Sequence, residues 1–119
     1  MPKRGSYEVL SDIIEAIRRI ELYLEKLNYE SFLIDSKTQD AVVRNFEIIG
    51  EAVKSLDIKF RDAHSNIPWK KIAGIKDKLI HHYFGVNLEI IWTIIETELP
   101  DLKKFIEKIL HSEFKTNFK

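Results

Sequence analysis

An all-α, up-and-down bundle of four to five helices is what this sequence predicts, on three observations. Apolar residues recur at steps of three and four along most of the chain, the spacing that lays one stripe down one side of a helix. Glycine and proline, the main helix breakers, number only 4 and 3 in 119 residues. Leucine, isoleucine, lysine and glutamate, all helix-compatible, dominate what remains. At 45% hydrophobic the chain can build a core, and its length suits one domain, residues 1–119, with a frayed polar tail over 112–119.

The first helix is expected from Tyr7 to Leu27, with Ser6 as N-cap and Leu10, Ile13, Ile14, Ile17, Ile20, Leu24 and Leu27 as its buried stripe. A connector over 28–38 should tuck Phe32 and Leu33 into the core, and Asp35 or Ser36 caps the second helix. That helix is expected from Ser36 to Ala63. Its stripe is Val42, Phe46, Ile49, Val53, Leu56 and Phe60, widened by Val43, Ile48 and Ala52 beyond what one packing surface needs. A mid-helix Gly50 costs about 1 kcal/mol against alanine and permits close approach of another backbone. Both features suggest that this helix belongs to a helix pair at a homodimer interface. Arg44, Asn45, Glu47 and Glu51 line its polar side. Glu47 and Glu51, one turn apart, read either as paired carboxylates or, more simply, as an exposed face.

Pro68 suits the first position of a third helix, whose inner side is Trp69, Ile72, Ile75, Leu79 and Ile80 and which stops near Phe84-Gly85. His64 precedes it in a turn, exposed and without a role. Asn87 should cap a fourth helix from Leu88 to about Thr97. Pro100 should break or kink it and start a fifth, running to about His111.

Composition excludes some classes. Without cysteine there is no disulfide, thiolate nucleophile or cysteine-based zinc site, which suits a cytoplasmic protein. Apolar runs fall far short of the roughly 20 residues needed to cross a bilayer, so no membrane role is expected. The basic start Met1-Pro2-Lys3-Arg4 lacks the apolar region of a signal peptide. With Lys plus Arg and Asp plus Glu both at 19, any nucleic-acid contact must come from a local patch. No phosphate loop, nucleophile elbow, metalloprotease motif or calcium loop occurs.

One stretch concentrates chemistry: Lys76-Asp77-Lys78-Leu79-Ile80-His81-His82-Tyr83. At 100° per residue, Lys76, Ile80 and Tyr83 share one side of a helix. Asp77 stacks one turn before His81 and can orient it, and Lys78 stands likewise to His82. Lys76 and His81 are about 140° apart, so one helix does not aim both at one atom. Two copies face to face would. A histidine beside a cation suits phosphodiester cleavage in RNA: it takes a proton from a 2′-hydroxyl or gives one to the leaving oxygen, while the cation stabilises charge on phosphorus. On spacing alone such a cluster is usually just a polar helix end, where basic groups are favourable anyway. A metal site from His81 and His82 is disfavoured, since adjacent positions diverge by 100°.

Three segments together carry a resemblance: Arg44-Asn45-Phe46-Glu47-Ile48-Ile49-Gly50-Glu51-Ala52, Pro68 to Asn87, and Leu88 to Leu102. They resemble the HepT-like proteins of the HEPN superfamily over nearly the whole chain. The family motif is Arg, four to six residues, His, one residue, Tyr. The resemblance implies the toxin of a toxin–antitoxin pair, a metal-independent ribonuclease without cofactors, its site formed at a homodimer interface. It also implies an RNA substrate (mRNA or tRNA) and an MntA-like nucleotidyltransferase antitoxin that transfers AMP to the motif tyrosine. His81 matches the motif histidine and Tyr83 the AMP acceptor, with Asp77 and His82 in support. Lys76 stands in the arginine position and Asp77 where asparagine is common. Lysine keeps the charge but loses the planar fork that grips two phosphate oxygens. The alternative is therefore a helical dimer, weakly active or inactive, that serves as the nucleotidyltransferase's binding partner.

Overall fold

The computed structural model describes residues 5–81 and 87–114, except the side chains at positions 76, 80 and 81. Among the described residues the chain is helical throughout: α1 Ser6–Leu24, α2 Tyr29–Leu33, α3 Ser36–Ser55, α4 Ile58–Ala63, α5 Trp69–Ala73, α6 Ile75–His81 and α7 Leu88–Phe114. The expected all-α bundle is what forms, with three long helices and four short ones.

The long amphipathic stripes decide the packing. On α1, Leu10, Ile13, Ile17 and Ile20 are fully buried. On α3, Val42, Phe46, Ile49 and Val53 are buried too, and Val43, Ile48 and Ala52 lie half-buried against the same core. The third helix is central: α1, α2, α5 and α6 all pack on it, while α7 closes the bundle against α1. Tyr7 and Phe114, with ring centroids 5.3 Å apart, join the start of α1 to the end of α7. Lys103 Nζ donates to both carboxylate oxygens of Glu21, at 3.0 and 3.1 Å, lower on the same pair of helices.

Several expected boundaries shift, each for a local reason. Gly5 rather than Ser6 is the N-cap of α1, and α1 stops at Leu24 because Asn28 starts a new turn. The Asn28 side chain accepts from Ser31 N at 2.9 Å. In that turn Phe32 is fully buried as expected and packs on Trp92 at 5.3 Å, but Leu33 is exposed. The expected helix over 36–63 is two helices. Leu56 is buried in an extended conformation, and Asp57 caps α4 by accepting from Lys59 N at 3.1 Å. Asn45, expected on the polar side, is buried; its Nδ2 donates to Ala41 O at 2.9 Å.

The largest departure is α7. Pro100 lies inside one helix of 27 residues instead of breaking it. Proline there removes a backbone hydrogen bond and presses on the preceding turn, a cost of about 3 kcal/mol. Leu102, Ile106, Ile109 and Leu110, all buried beyond it, contribute about 1.5–3 kcal/mol each and keep the second half helical. The helix also extends through Phe114, so positions 112–114 of the expected frayed tail are helical. Pro100→Ala is accordingly expected to raise stability by about 2 kcal/mol in urea unfolding, the restored hydrogen bond outweighing the looser unfolded chain. A lower urea midpoint would show instead that the ring itself is needed.

Asp35 supplies a pH-dependent cap to α3. It accepts from Thr38 Oγ1 at 2.7 Å and from Thr38 N at 3.0 Å. These bonds, the side-chain one first, hold its carboxyl below the ordinary 3.8, with a small contribution from the charge of Lys37. A pKa depressed by folding adds stability above the unfolded value and loses it as pH falls through the folded one. The stability gap between wild type and Asp35→Ala should therefore be constant near neutrality and close as pH drops below 3.8. A gap unchanged by acid would show that the carboxylate is not the capping group.

Candidate functional site

The chemistry-bearing stretch falls on α6 and the residues after it. Ile75 and Leu79 are buried one turn apart and seat α6 on α3, while Asp77 and Lys78 are exposed. Beneath α6 the packing is close: where Phe46, Ile49, Ile75, Ile94 and Leu99 meet, only about 20 Å³ stays empty. A helix of seven residues does not hold itself together in water, so this seat is what fixes it.

Of the predicted site residues, Lys76, Asp77 and His81 lie on α6 itself. Position 81 comes one turn after Asp77, on the strip opposite Ile75 and Leu79. The side chains of Lys76 and His81 lie outside the described residues, as do His82, Tyr83 and the expected helix stop at Phe84-Gly85. Both flanks of that gap are defined. On one side α6 reaches His81. On the other, Asn87 caps α7 as expected, its side chain accepting from Ile90 N at 3.2 Å.

Upstream, α5 is braced twice. Trp69 is buried, and its Nε1 donates to His64 O at 3.0 Å. Lys71 Nζ meets Glu98 Oε1 on α7 at 2.7 Å. That hydrogen bond, then the charge of Glu98, raises the Lys71 pKa above its ordinary 10.5. Gly74 continues in right-handed helical geometry, so α5 hands over to α6 without a long loop.

His64 is not the exposed turn residue expected. It is half-buried, its ring lies 4.6 Å from that of Phe60, and its Nε2 meets Glu113 Oε1 at 2.7 Å. The sequence carries no sign of this, because Glu113 is distant in the chain. Glu47 is not a free carboxylate either, since Arg44 Nη1 pairs with its Oε2 at 3.5 Å.

Comparison with known proteins places the chain in a family. Residues 13–109 match the family described as "Ribonuclease HepT-like". A Methanocaldococcus jannaschii protein named as a "Putative RNase" is 46% identical over 110 residues, covering 92% of this chain and 91% of its own length. The "Probable ribonuclease HepT" of Thermococcus cleftensis is 45% identical over 107 residues, covering 90% and 97%. A "Putative RNase" of Caldanaerobacter subterraneus subsp. tengcongensis is 48% identical over 100 residues, covering 82% and 89%. No solved structure matches the chain significantly. The matched span runs from the middle of α1 nearly to the end of α7 and includes all of α6, and on that ground the chain belongs to the HepT-like ribonuclease family.

Proposed function

We propose that this protein is an RNA endonuclease, the toxin of a toxin–antitoxin pair, whose working element is α6 and the residues just after it. The observation that carries the reading is the seating of α6: Ile75 and Leu79 anchor it, and the strip of Asp77 and position 81 stands on its opposite side.

In this reading His81 is the acid–base group and Lys76 stabilises charge on the phosphate. The 2′-hydroxyl oxygen attacks the adjacent phosphorus as a neutral histidine takes its proton. The bond from phosphorus to the 5′-oxygen breaks, and a protonated histidine gives that oxygen a proton. A 2′,3′-cyclic phosphate and a 5′-hydroxyl end result. Two copies of the chain supply both histidines and bring Lys76 of one copy toward His81 of the other, which the 140° divergence on a single helix does not allow. Asp77, one turn before it, orients His81, and His82 adds a donor beside it.

Control falls to Tyr83. A nucleotidyltransferase of the MntA type, the antitoxin, transfers AMP from ATP to the phenol oxygen, with pyrophosphate leaving. The adduct places a negative phosphate and an adenosine in the cleft, and both oppose entry of RNA. Lysine at position 76 favours one other reading, a dimer of little or no activity that serves to bind the nucleotidyltransferase.

Purified protein incubated with tRNA and mRNA in EDTA separates the two. Cleavage is the expected result, faster in Lys76→Arg, and a dimer is expected by light scattering at micromolar concentration. Intact RNA with both proteins would leave only the binding role. After co-expression with the nucleotidyltransferase, mass spectrometry should find AMP on the peptide containing Tyr83; an unmodified peptide would count against the proposed switch.

A further inference from the structure

Upstream of α6 lies an open groove of about 790 Å³, formed by α4, the turn after it and the start of α5. Arg61, Lys70 and Lys71 line it, with Ile58 and Ser65 between them and Asp62 as its one acidic residue. Lys71 is committed to Glu98. Arg61 and Lys70 form no ion pair or hydrogen bond through their side chains among the described residues. The Arg61 guanidinium thus has no anionic partner among the described residues, and a phosphate oxygen in the groove can supply one through a charge-assisted hydrogen bond.

We propose that this groove binds the phosphodiester backbone of single-stranded RNA and leads the strand onto α6. The inference rests on the ribonuclease reading and adds to it a binding surface away from the reacting atoms. Two features favour RNA over an acidic protein segment. The free cations are an arginine fork and a lysine on a long flexible stem, the pair that grips phosphate oxygens. Position also fits: from Lys71 to His81 the chain covers about 15 Å of helical rise if α5 and α6 run on in line, a few nucleotides of strand. Ile58, 63% exposed at the groove's edge, adds an apolar surface for a base or ribose.

The test uses the full chain and a fluorescent single-stranded RNA of about 20 nucleotides, fully 2′-O-methylated so that it binds but lacks the attacking hydroxyl. Binding is read by anisotropy across a salt series. Arg61→Gln/Lys70→Gln should bind about tenfold more weakly, and its slope of log affinity against log salt should fall by about 1.4, two strand contacts at about 0.7 each. Lys26→Gln/Lys37→Gln removes the same charge elsewhere and should change little. Cleavage of a dinucleotide, too short to reach the groove, should be the same in all. Lys70→Gln alone, at an exposed position, should give about half the slope change should the double variant misfold.

If wild type cleaves RNA and the groove variants bind as wild type does, the groove assignment alone fails. If wild type neither binds nor cleaves RNA, the ribonuclease reading fails and the groove assignment with it. Weaker binding of poly-glutamate with RNA binding intact would give the groove to an acidic protein partner and overturn the proposal.

Discussion

Replacement of His81 by alanine is expected to slow RNA cleavage about 10²–10⁴-fold, the usual contribution of a positioned general acid or base. Binding of uncleavable RNA should be nearly unchanged, because the loss falls on the transition state rather than the ground state. The helix should survive, since its seat is made by Ile75 and Leu79. A milder companion checks the role of the neighbouring charge. Asp77 stands one turn before His81 on α6, so Asp77→Asn should slow cleavage less than His81→Ala does and leave the binding of uncleavable RNA intact. If His81→Ala cleaves as fast as wild type while Lys76→Ala does not, the acid–base role belongs to another group, and the α6 assignment loses its main residue.

Phe46→Ala is expected to destabilise the protein by about 3–5 kcal/mol. Phe46 is 1% exposed, on the central helix, and borders the nearly void-free contact of α3, α6 and α7. Truncation there opens a cavity under the element that carries the chemistry. Urea unfolding should show a lower midpoint at unchanged slope, and backbone amides of α6 should exchange faster than those of α1 at the same denaturant concentration. Phe46→Leu, which keeps most of the volume, should lose much less. A loss below about 1 kcal/mol for the alanine variant would mean that the void collapses freely and that α6 is not held from beneath.

These two positions differ in how well the sequence announces them. Phe46 is fixed by periodicity: the steps of four and three through Val42, Phe46, Ile49 and Val53 can only be a buried stripe, and all four are buried. His81 stands out by the company it keeps, Lys76, Asp77, His82 and Tyr83, and by resemblance to a family motif. No periodicity argument makes it catalytic.

Where sequence and structure part, local and distant signals compete. Leu56 and Phe60 continue the stripe of α3, so the pattern reads as one helix, yet Asp57 caps a new one between them. That cap is a short local signal set against a long stripe, and in the folded chain the cap prevails. Pro100 is the reverse case. A local breaker predicts a stop, and the burial of four apolar side chains beyond it overrides the break.

Residue order alone is enough to establish that the chain is helical, which faces are buried, where the chemistry-bearing residues fall along it, and which family it resembles. These depend on near-neighbour spacing and residue type, which a linear chain displays in full. Contacts between distant segments were needed to make α3 the central helix, to carry α7 unbroken through Pro100, and to hold His64 by Glu113 and Lys71 by Glu98. The same contacts leave Arg61 and Lys70 uncommitted beside an open groove. Each of those outcomes turns on which distant residues meet once several stripes compete for one core, a free-energy balance among contacts far apart in the chain that no local pattern encodes.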